Sequence, residues 1–256
     1  MKDRAAPRTR IARHTKDAVY VRDRDLVQEL IGRISFTEMM ILQLTGKPAT
    51  PLQLKIVDSV LVTLMEHGFT PSSIVTRLIY DSTPEAMQSA VAAGLLGVGN
   101  TFIGTMEGAA RLLDDILAAP EGMQARAREI ATGHAAQRKH LPGFGHPFHK
   151  PDDPRSPRLL QVAREAGAPG RYIGALEVLS REVDAAYGRH LTINVTGAVA
   201  AVLGEAGIPQ QIMRGLAVVS RAAGLVGHIH EEQQIPSARH VWDLVAQNIP
   251  YEENKQ

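Results

Sequence analysis

The sequence predicts an all-α fold, and three observations lead to that prediction. Ala, Leu, Met, Glu, Gln and Arg are abundant, whereas aromatic residues make up only 4% of the chain. Apolar residues recur at helical spacing within segments bounded by Gly and Pro. Alternating β-branched runs are nearly absent, and no strand pair, βαβ alternation or internal repeat is visible. The 256 residues have room for one large domain or two modest ones.

The predicted helices of the first half begin at a capping residue or at a proline. Asp25 and Thr37 are expected to cap the first two helices, and Pro51, Pro71 and Pro84 open the next three. The fifth helix is rich in Ala and Gly, which predicts close packing against its neighbours. The predicted helices cover residues 26–34, 38–46, 51–68, 71–82 and 84–100.

The second half continues the helical pattern, with a loop in the middle. Helices are predicted over residues 107–135, 156–166, 171–188, 196–207 and 209–227. The last twenty residues are predicted to be irregular. The first sixteen residues carry six Lys or Arg but also Asp3 and little Ser, so we expect a solvated, flexible arm (1–16) rather than a transit peptide.

Composition excludes several classes of protein. The chain has no cysteine, which rules out disulfides, zinc-thiolate sites and a cysteine nucleophile. A formal net charge of +1 gives no sign of a nucleic-acid partner. No apolar run reaches the roughly 18 residues that span a bilayer. We therefore expect a soluble cytoplasmic protein without a membrane or nucleic-acid partner.

The most informative segment is residues 141–158, LPGFGHPFHKPDDPRSPR. Its prolines and glycines exclude a helix interior or a central strand and predict a shaped loop with free backbone N–H groups. His146 lies in this loop, with Lys150, Arg155 and Arg158 close behind. An imidazole beside several cations is suited to binding an anionic substrate and moving a proton next to it. The alternative is a surface turn with solvated charges.

Two further residues have both a structural and a functional interpretation. His67 follows a predicted helix, where a cation interacts favourably with the helix dipole, so it is either a capping residue or a site residue. Arg221 lies in the apolar segment LAVVSRAAGLVGH. A buried Arg needs an anionic partner, so Arg221 either clamps a carboxylate or forms an internal ion pair.

Two apparent motifs carry no function. Gly97-Val98-Gly99 begins a possible dinucleotide motif, but Phe102 stands at its third glycine and no strand precedes it. His228 and His230 are two residues apart and do not face each other on a helix, which argues against a metal site. Our prediction is therefore that no metal is bound.

Taken together, these residues resemble the citrate synthase superfamily, and in particular its short bacterial members, the citryl-CoA lyases. The resemblance runs from about residue 22 to the end of the chain. The loop from Pro142 to His146, followed by Lys150 and Arg155, looks like the signature loop of the family. The supporting segments are 35–38 (SFTE), 44–47 (LTGK), 66–72 (EHGFTPS), 92–97 (AAGLLG) and 221–228 (RAAGLVGH).

The resemblance implies an all-α homodimer, or a higher homo-oligomer, whose subunit has a large and a small helical domain with CoA in the cleft between them. In this chain the large domain would comprise 1–107 and 205–256, and the small domain 108–204.

The resemblance also implies roles for individual residues. His146 would hydrogen-bond the oxo or hydroxy oxygen of the substrate, and His67 would bind the oxo acid. Arg155 and Arg221 look like carboxylate-binding arginines, and Arg239 looks like a third arginine that the family takes from the partner subunit. The residues that would contact CoA are Pro142, Gly143, Phe144, Gly145 and Lys150.

Two positions depart from the citrate synthase pattern. Citrate synthases place a His before a Gly-Gly-Ala segment, and here Met106 or Glu107 stands in that place. They also carry the catalytic base as the Asp of Asn-Val-Asp, where this chain has Thr196. Threonine is no general base near neutral pH, and a positioned base contributes about 10²–10⁴-fold. Glu107 is either a replacement base or a charge at a helix start.

The expected function is therefore cleavage of a citryl-CoA-like thioester to acetyl-CoA, or a related acyl-CoA, and a 2-oxo acid. The substrates are small molecules, and no metal or redox cofactor is needed because the thioester acidifies the carbon that must bear charge. The alternatives are a catalytically impaired protein that binds CoA or a carboxylate, and a synthase or thioester hydrolase for a non-citrate acid.

Overall fold

The computed structural model describes residues 6–99 and 104–252, and over these residues the chain is mostly helical. The all-α prediction is confirmed. The helices are α1 (Phe36–Thr45), α2 (Pro51–Met65), α3 (Pro71–Ser82), α4 (Met87–Leu96), α5 (Thr105–Ala118), α6 (Met123–Ala136), α7 (Arg155–Glu165), α8 (Arg171–Tyr187), α9 (Val195–Glu205), α10 (Gln210–Glu232) and α11 (Ala238–Asn248).

A small antiparallel sheet precedes the helices. The sequence predicted no strands in this region, and it predicted a flexible arm over residues 1–16. Its strands are β1 (Ala12–His14), β2 (Val19–Val21) and β3 (Arg24–Asp25), in the order β1-β2-β3. Arg22 and Asp23 form the two-residue turn between β2 and β3, both at positive φ, as tight hairpins require. Strands of two or three residues are too short for a periodic signal. Residues 1–5 of the predicted arm lie outside the described residues.

The first predicted helix is also shorter than expected. Asp25 caps it as predicted, since its Oδ1 accepts from the N–H groups of Val27 and Gln28, each at 2.9 Å. The turn that follows is π-helical and covers only Leu26–Leu30. The chain then reverses at Gly32, whose φ of 73° belongs to the left-handed region.

Ser35, rather than Thr37, caps α1. The Ser35 hydroxyl accepts from the Glu38 N–H at 3.2 Å, and the Glu38 carboxylate accepts from the Ser35 N–H at 2.7 Å, which is a reciprocal capping box. Thr37 is buried and donates to Asp58 at 3.0 Å instead.

Three predictions about the later helices are wrong in detail. The helix predicted over 107–135 is two helices, α5 and α6, because Pro120 and Gly122, at a φ of 94°, interrupt it. Helix α10 continues past Gly227 to Glu232, since one exposed glycine is tolerated inside a helix. The last twenty residues, predicted to be irregular, contain α11.

Helix α9 lies at the centre of the bundle. Every residue from Val195 to Leu203 is buried. Helices α2, α5, α7, α8 and α10 pack against it. The N-terminus of α9 is thereby fixed beside the loop that precedes α7, and this contact sets the position of the candidate site.

Helix α10 is the one helix among the described residues that is long and apolar enough to cross a membrane by length and composition alone. It also carries Arg221, His228 and Glu232, all buried. Helices α2, α3, α4 and α5 pack against it. Buried polar side chains within such contacts are typical of a core helix in a bundle.

The predicted division into domains places one boundary inside α5 and the other at the end of α9. One continuous hydrophobic core contains residues of both parts, such as Val60 and Leu176. The division into a large and a small domain stays a prediction.

Candidate active site

The histidine-bearing loop is pinned to the segment that leads into α9. The Gly145 N–H donates to the Thr192 carbonyl at 2.8 Å, and the Asn194 N–H donates to the Gly143 carbonyl at 3.0 Å. The Asn194 side chain donates to the Gly145 carbonyl at 2.9 Å. Gly143 and Gly145 have φ values of 88° and 77°, which a side chain would strain. The glycines of the motif are thus required by the path of the loop.

The loop also fixes the tautomer of His146. Its Nδ1 accepts from the backbone N–H groups of Phe148 and His149, at 3.1 and 3.0 Å. A neutral ring with Nδ1 as acceptor carries its proton on Nε2. Burial, followed by the neighbouring His149, lowers the pKa of His146 and favours this neutral form. His146 is therefore prepared to donate a hydrogen bond from Nε2.

Arg155, the first residue of α7, is held by a fully buried carboxylate. Its Nε and Nη2 donate to the two oxygens of Asp153, at 2.9 and 2.8 Å. Asp153 also accepts from the Val195 N–H at 3.0 Å. Burial would raise the pKa of Asp153, but the hydrogen bonds from Arg155 and Val195 outweigh it and leave the pKa below its ordinary value. Asp153 thus aligns Arg155 with the start of α9.

Arg221 on α10 is a buried cation whose charge is poorly compensated. Its residue exposure is 6%, and its Nε and Nη1 have no hydrogen-bond partner among the described residues. The nearest carboxylate oxygen, from Glu66, is 3.7 Å from Nη1, which is too far for a hydrogen bond. Burial lowers the pKa of Arg221. Buried donors without partners are rare, and here they indicate a site for an anion.

These groups line one cavity of about 730 Å³. His67, His146, Arg155 and Arg221 come to it from the end of α2, the loop, α7 and α10, and Gly145 lines it beside His146. Partial burial, then the charge of Arg155, the neighbouring His149 and the charge of Arg221, lower the pKa of His67. The cavity therefore combines two guanidinium groups with neutral imidazoles.

Threonine hydroxyls occupy the place where the sequence lacks the family's aspartate. The Thr196 hydroxyl donates to Asn194 Oδ1 at 2.7 Å, so its single proton is not available to a second acceptor. It therefore accepts from the Thr105 hydroxyl, 2.9 Å away. All three side chains line the cavity. This chain of hydrogen bonds offers no base.

Three imidazoles meet in the cavity. One ring nitrogen from each of His67, His146 and His149 lies within 4.8 Å of the others. A Zn²⁺ ion would need lone pairs about 2.0–2.1 Å away, but that of His146 Nδ1 is engaged by backbone N–H groups. An oxygen atom among the three nitrogens would instead lie within about 2.8 Å of each, an ordinary hydrogen-bond length. The cluster can therefore hydrogen-bond a substrate oxygen, and the absence of a bound metal stays a prediction.

Several residues that the sequence assigned to the site do not line this cavity. Glu107 is paired with Arg214 at 2.6 Å, so the structure does not bring it to the substrate side as a base. Arg239 is paired with Asp81 at 2.8 Å on the surface of the chain. Lys150 is exposed.

The loop residues before Gly145 also lie behind the cavity wall. Gly143 and Phe144 are buried, and Phe144 forms a bridge with Ile193. Pro142 packs on Gly108. In this structure these residues support the loop, and the contact with CoA assigned to them and to Gly145 stays a prediction.

Other residues that line the cavity were not predicted from the sequence. The sequence does indicate His149 as a site residue, because it is an imidazole three residues after His146 in the same constrained loop. Glu66 directly precedes His67 in the sequence, and it is the one carboxylate among the described residues that line the cavity. Thr105 gave no signal, because its contact with Thr196 joins residues 91 positions apart.

Comparison with known proteins identifies the family. The family model described as the citrate synthase C-terminal domain matches residues 5–240. The chain belongs to the citrate synthase family. This family consists of enzymes.

The most informative relatives of this citrate synthase family member are a protein and a solved structure. A Mycobacterium tuberculosis protein named as a candidate citrate synthase 2 is 30% identical over 210 residues, which are 77% of this chain and 53% of the relative. The chain thus spans about half the length of that relative. The citryl-CoA lyase of Hydrogenobacter thermophilus is 27% identical with a TM-score of 0.87, covering 98% of this chain and 96% of that one.

A third comparison bears on the fold alone. The ATP citrate lyase of Methanothrix soehngenii, solved with citrate and coenzyme A, is 20% identical with a TM-score of 0.78. It covers 100% of this chain and 43% of that chain.

Proposed function

We propose that this member of the citrate synthase family is a carbon–carbon lyase of the citryl-CoA type. It cleaves a thioester that carries a hydroxyl and a carboxylate on C3, and it releases acetyl-CoA, or a related acyl-CoA, and a 2-oxo acid. The observation that carries the proposal is the presence, in the lining of one cavity, of Arg221, a buried cation with no hydrogen-bonded carboxylate among the described residues, and of His146 with a fixed donor nitrogen.

Substrate binding follows from the charges. A substrate carboxylate accepts from the buried guanidinium group of Arg221, and a charge-assisted hydrogen bond of this kind contributes about 1.5–3 kcal/mol. Arg155 keeps the donors that Asp153 leaves open and presents them to a second carboxylate. Burial, and then the charges of Arg155 and Arg221 among its neighbours, lower the pKa of His67, and it bonds the oxo acid portion as a neutral ring.

Bond cleavage follows from the donor at His146. As the C–C bond breaks, the C3 oxygen changes from a hydroxyl to a carbonyl and passes through a state with negative charge. His146 Nε2–H stabilises that charge in a partly desolvated cavity. The electron pair of the broken bond moves to the carbon next to the thioester, which stabilises it as an enolate. The chemistry of the thioester therefore supplies the electron sink.

A binding protein without turnover is the second candidate. The hydroxyls of Thr105 and Thr196 favour it, because they stand where the family has a base. Such a protein would bind CoA or the carboxylate and leave the thioester intact.

The test is to incubate purified protein with citryl-CoA and to follow acetyl-CoA and the 2-oxo acid together. We expect equal amounts of both products from the wild type. His146→Ala should abolish the release while leaving the helical circular-dichroism spectrum unchanged. Binding of citryl-CoA without release, across a panel of 3-carboxy-3-hydroxyacyl-CoA thioesters, would favour the second candidate.

A further inference from the structure

We propose that His149 is a further catalytic residue, which takes the proton of the substrate hydroxyl whose oxygen His146 binds. This inference rests on the proposed lyase function and names the proton acceptor that the reaction needs. Neither Glu107 nor Thr196, the residues at the two departures from the citrate synthase pattern, can serve as that acceptor in this structure.

The ion pair of Glu107 and the hydrogen bonds of Glu66 exclude these two carboxylates as the proton acceptor. Glu107 is paired with Arg214 and does not line the cavity. Glu66 lines the cavity, but its Oε1 accepts from the N–H groups of His67 and Gly68, each at 2.7 Å. Burial raises the pKa of Glu66, while His228, the His67 N–H and Arg221 together lower it below its ordinary value. A carboxylate stabilised in this way is a weak base.

Two of the three clustered imidazoles are also poorly suited to accept the proton. His146 uses its lone pair at Nδ1 to accept two backbone N–H groups, so it acts as a donor through Nε2. His67 is farther from His146, with 6.2 Å between the ring centroids against 4.3 Å for His149, and burial and then the charges around it, led by Arg155, lower its pKa. A lowered pKa makes a ring a poorer proton acceptor.

Within the cluster His149 remains, and its geometry suits the role; His140 also lines the cavity but does not belong to the cluster. Its ring centroid is 4.3 Å from that of His146 and 5.8 Å from that of His67. Its own backbone N–H donates to His146 Nδ1, so the two rings are held by one short loop. A single oxygen atom fits within hydrogen-bond distance of all three rings. One imidazole can therefore donate to that oxygen while another accepts its proton.

The proposed step is balanced in protons and electrons. His149 takes the hydroxyl proton, the C3 oxygen forms the carbonyl of the 2-oxo acid, and the C–C bond breaks. The electron pair of that bond remains on the carbon next to the thioester carbonyl, as the thioester enolate. Protonated His149, or solvent in exchange with it, then supplies one proton to that carbon. The neutral imidazole is restored and no oxidant or reductant is consumed.

The experiment is chemical rescue of His149→Ala with free imidazole, with citryl-CoA cleavage as the readout. A positioned base contributes about 10²–10⁴-fold, so we expect kcat to fall by about 10²-fold or more with a smaller change in KM. Added imidazole should restore part of the rate. The restored rate should follow the concentration of neutral imidazole as pH is varied, which a merely structural role would not produce.

Two further variants complete the design. His149→Gln keeps a polar side chain but cannot act as a base, so it should be as slow as His149→Ala, and it serves if the alanine variant does not fold. His240→Ala, on the exposed face of α11, should keep the wild-type rate and should not respond to imidazole.

The outcomes separate the two proposals. If wild-type protein cleaves none of the thioesters, the lyase function itself is wrong and this role falls with it. If the wild type is active and either His149 variant keeps its rate within about threefold, His149 is not the base. A slow alanine variant that imidazole does not restore also overturns the proposal.

Discussion

At the scale of single residues, the strongest prediction concerns Arg221. Replacing it with Met should weaken the binding of oxaloacetate by about 2 kcal/mol, or roughly 30-fold in Kd, because the carboxylate loses its buried donors. The same substitution should not lower the stability of the free protein and should raise it by about 1–2 kcal/mol, because a buried cation with unpartnered donors is removed. Calorimetric titration and urea unfolding measure the two effects.

The control is Arg158→Met. Arg158 belongs to the same loop motif but is exposed, 3.7 Å from Glu165. Its replacement should change neither the Kd for oxaloacetate nor the free energy of unfolding. An Arg221→Met variant with the wild-type Kd would remove Arg221 from the site.

A second residue-scale prediction concerns the position of the absent base. Thr196→Asp should increase deuterium uptake into the methyl group of acetyl-CoA by about 10²-fold or more, because it places a carboxylate where the family carries its base. The new charge lies at the N-terminus of α9, which favours it. Nuclear magnetic resonance in D₂O follows the exchange.

Thr196→Asn is the neutral control and should leave the exchange at its wild-type rate. Equal exchange rates in the two variants would mean that residue 196 does not face the methyl carbon of acetyl-CoA.

The sequence predicted the candidate site in part. His67, His146, Arg155 and Arg221 meet in one cavity, as a shared role in binding one substrate requires, although their individual roles stay predictions. Glu107 does not join them, because it pairs with an arginine 107 positions later in the chain. Such a partner is set by the packing of α5 on α10 and leaves no local trace in the sequence.

At the scale of elements, the contact between the loop and α9 is the most sensitive packing in the site. A Cβ on Gly197 would lie 2.5 Å from the Gly143 carbonyl oxygen and 3.1 Å from the Gly143 Cα. Gly197→Ala should therefore push the loop away, lower the free energy of unfolding by about 1–3 kcal/mol and reduce turnover. Thermal unfolding and the cleavage assay measure both losses.

Gly215→Ala is the matched control. Gly215 lies on α10, and a Cβ at this position would have nothing within 4 Å of it. The alanine should leave turnover unchanged and stabilise the helix by up to about 1 kcal/mol. Unaltered stability in Gly197→Ala would show that the loop does not rest on α9.

The helices themselves were predictable where local chemistry decides them. Pro51 and Pro71 open α2 and α3, and Asp25 caps the first turn, as the sequence indicated. The capping box of Ser35 and Glu38 is equally local, because its two residues are three positions apart in the sequence. The β-hairpin was not predictable in the same way, because its strands have too few residues to show a period of two.

At the scale of the whole molecule, the fold class and the family were predictable, whereas the assembly was not tested. Helix α11 exposes apolar side chains, among them Trp242, Leu244 and Val245. The homodimer or higher homo-oligomer, the partner-subunit role of Arg239 and the cytoplasmic location stay predictions. They concern surfaces and surroundings that a single chain does not contain.

The decisive experiment is a crystal structure of the protein with oxaloacetate bound, because it shows whether Arg221 and the three histidines contact one substrate. We expect one carboxylate to bond the guanidinium group of Arg221, with the oxo oxygen among the rings of His67, His146 and His149. A ligand bound outside this cavity, or one whose oxo oxygen lies away from all three rings, would contradict the proposed site.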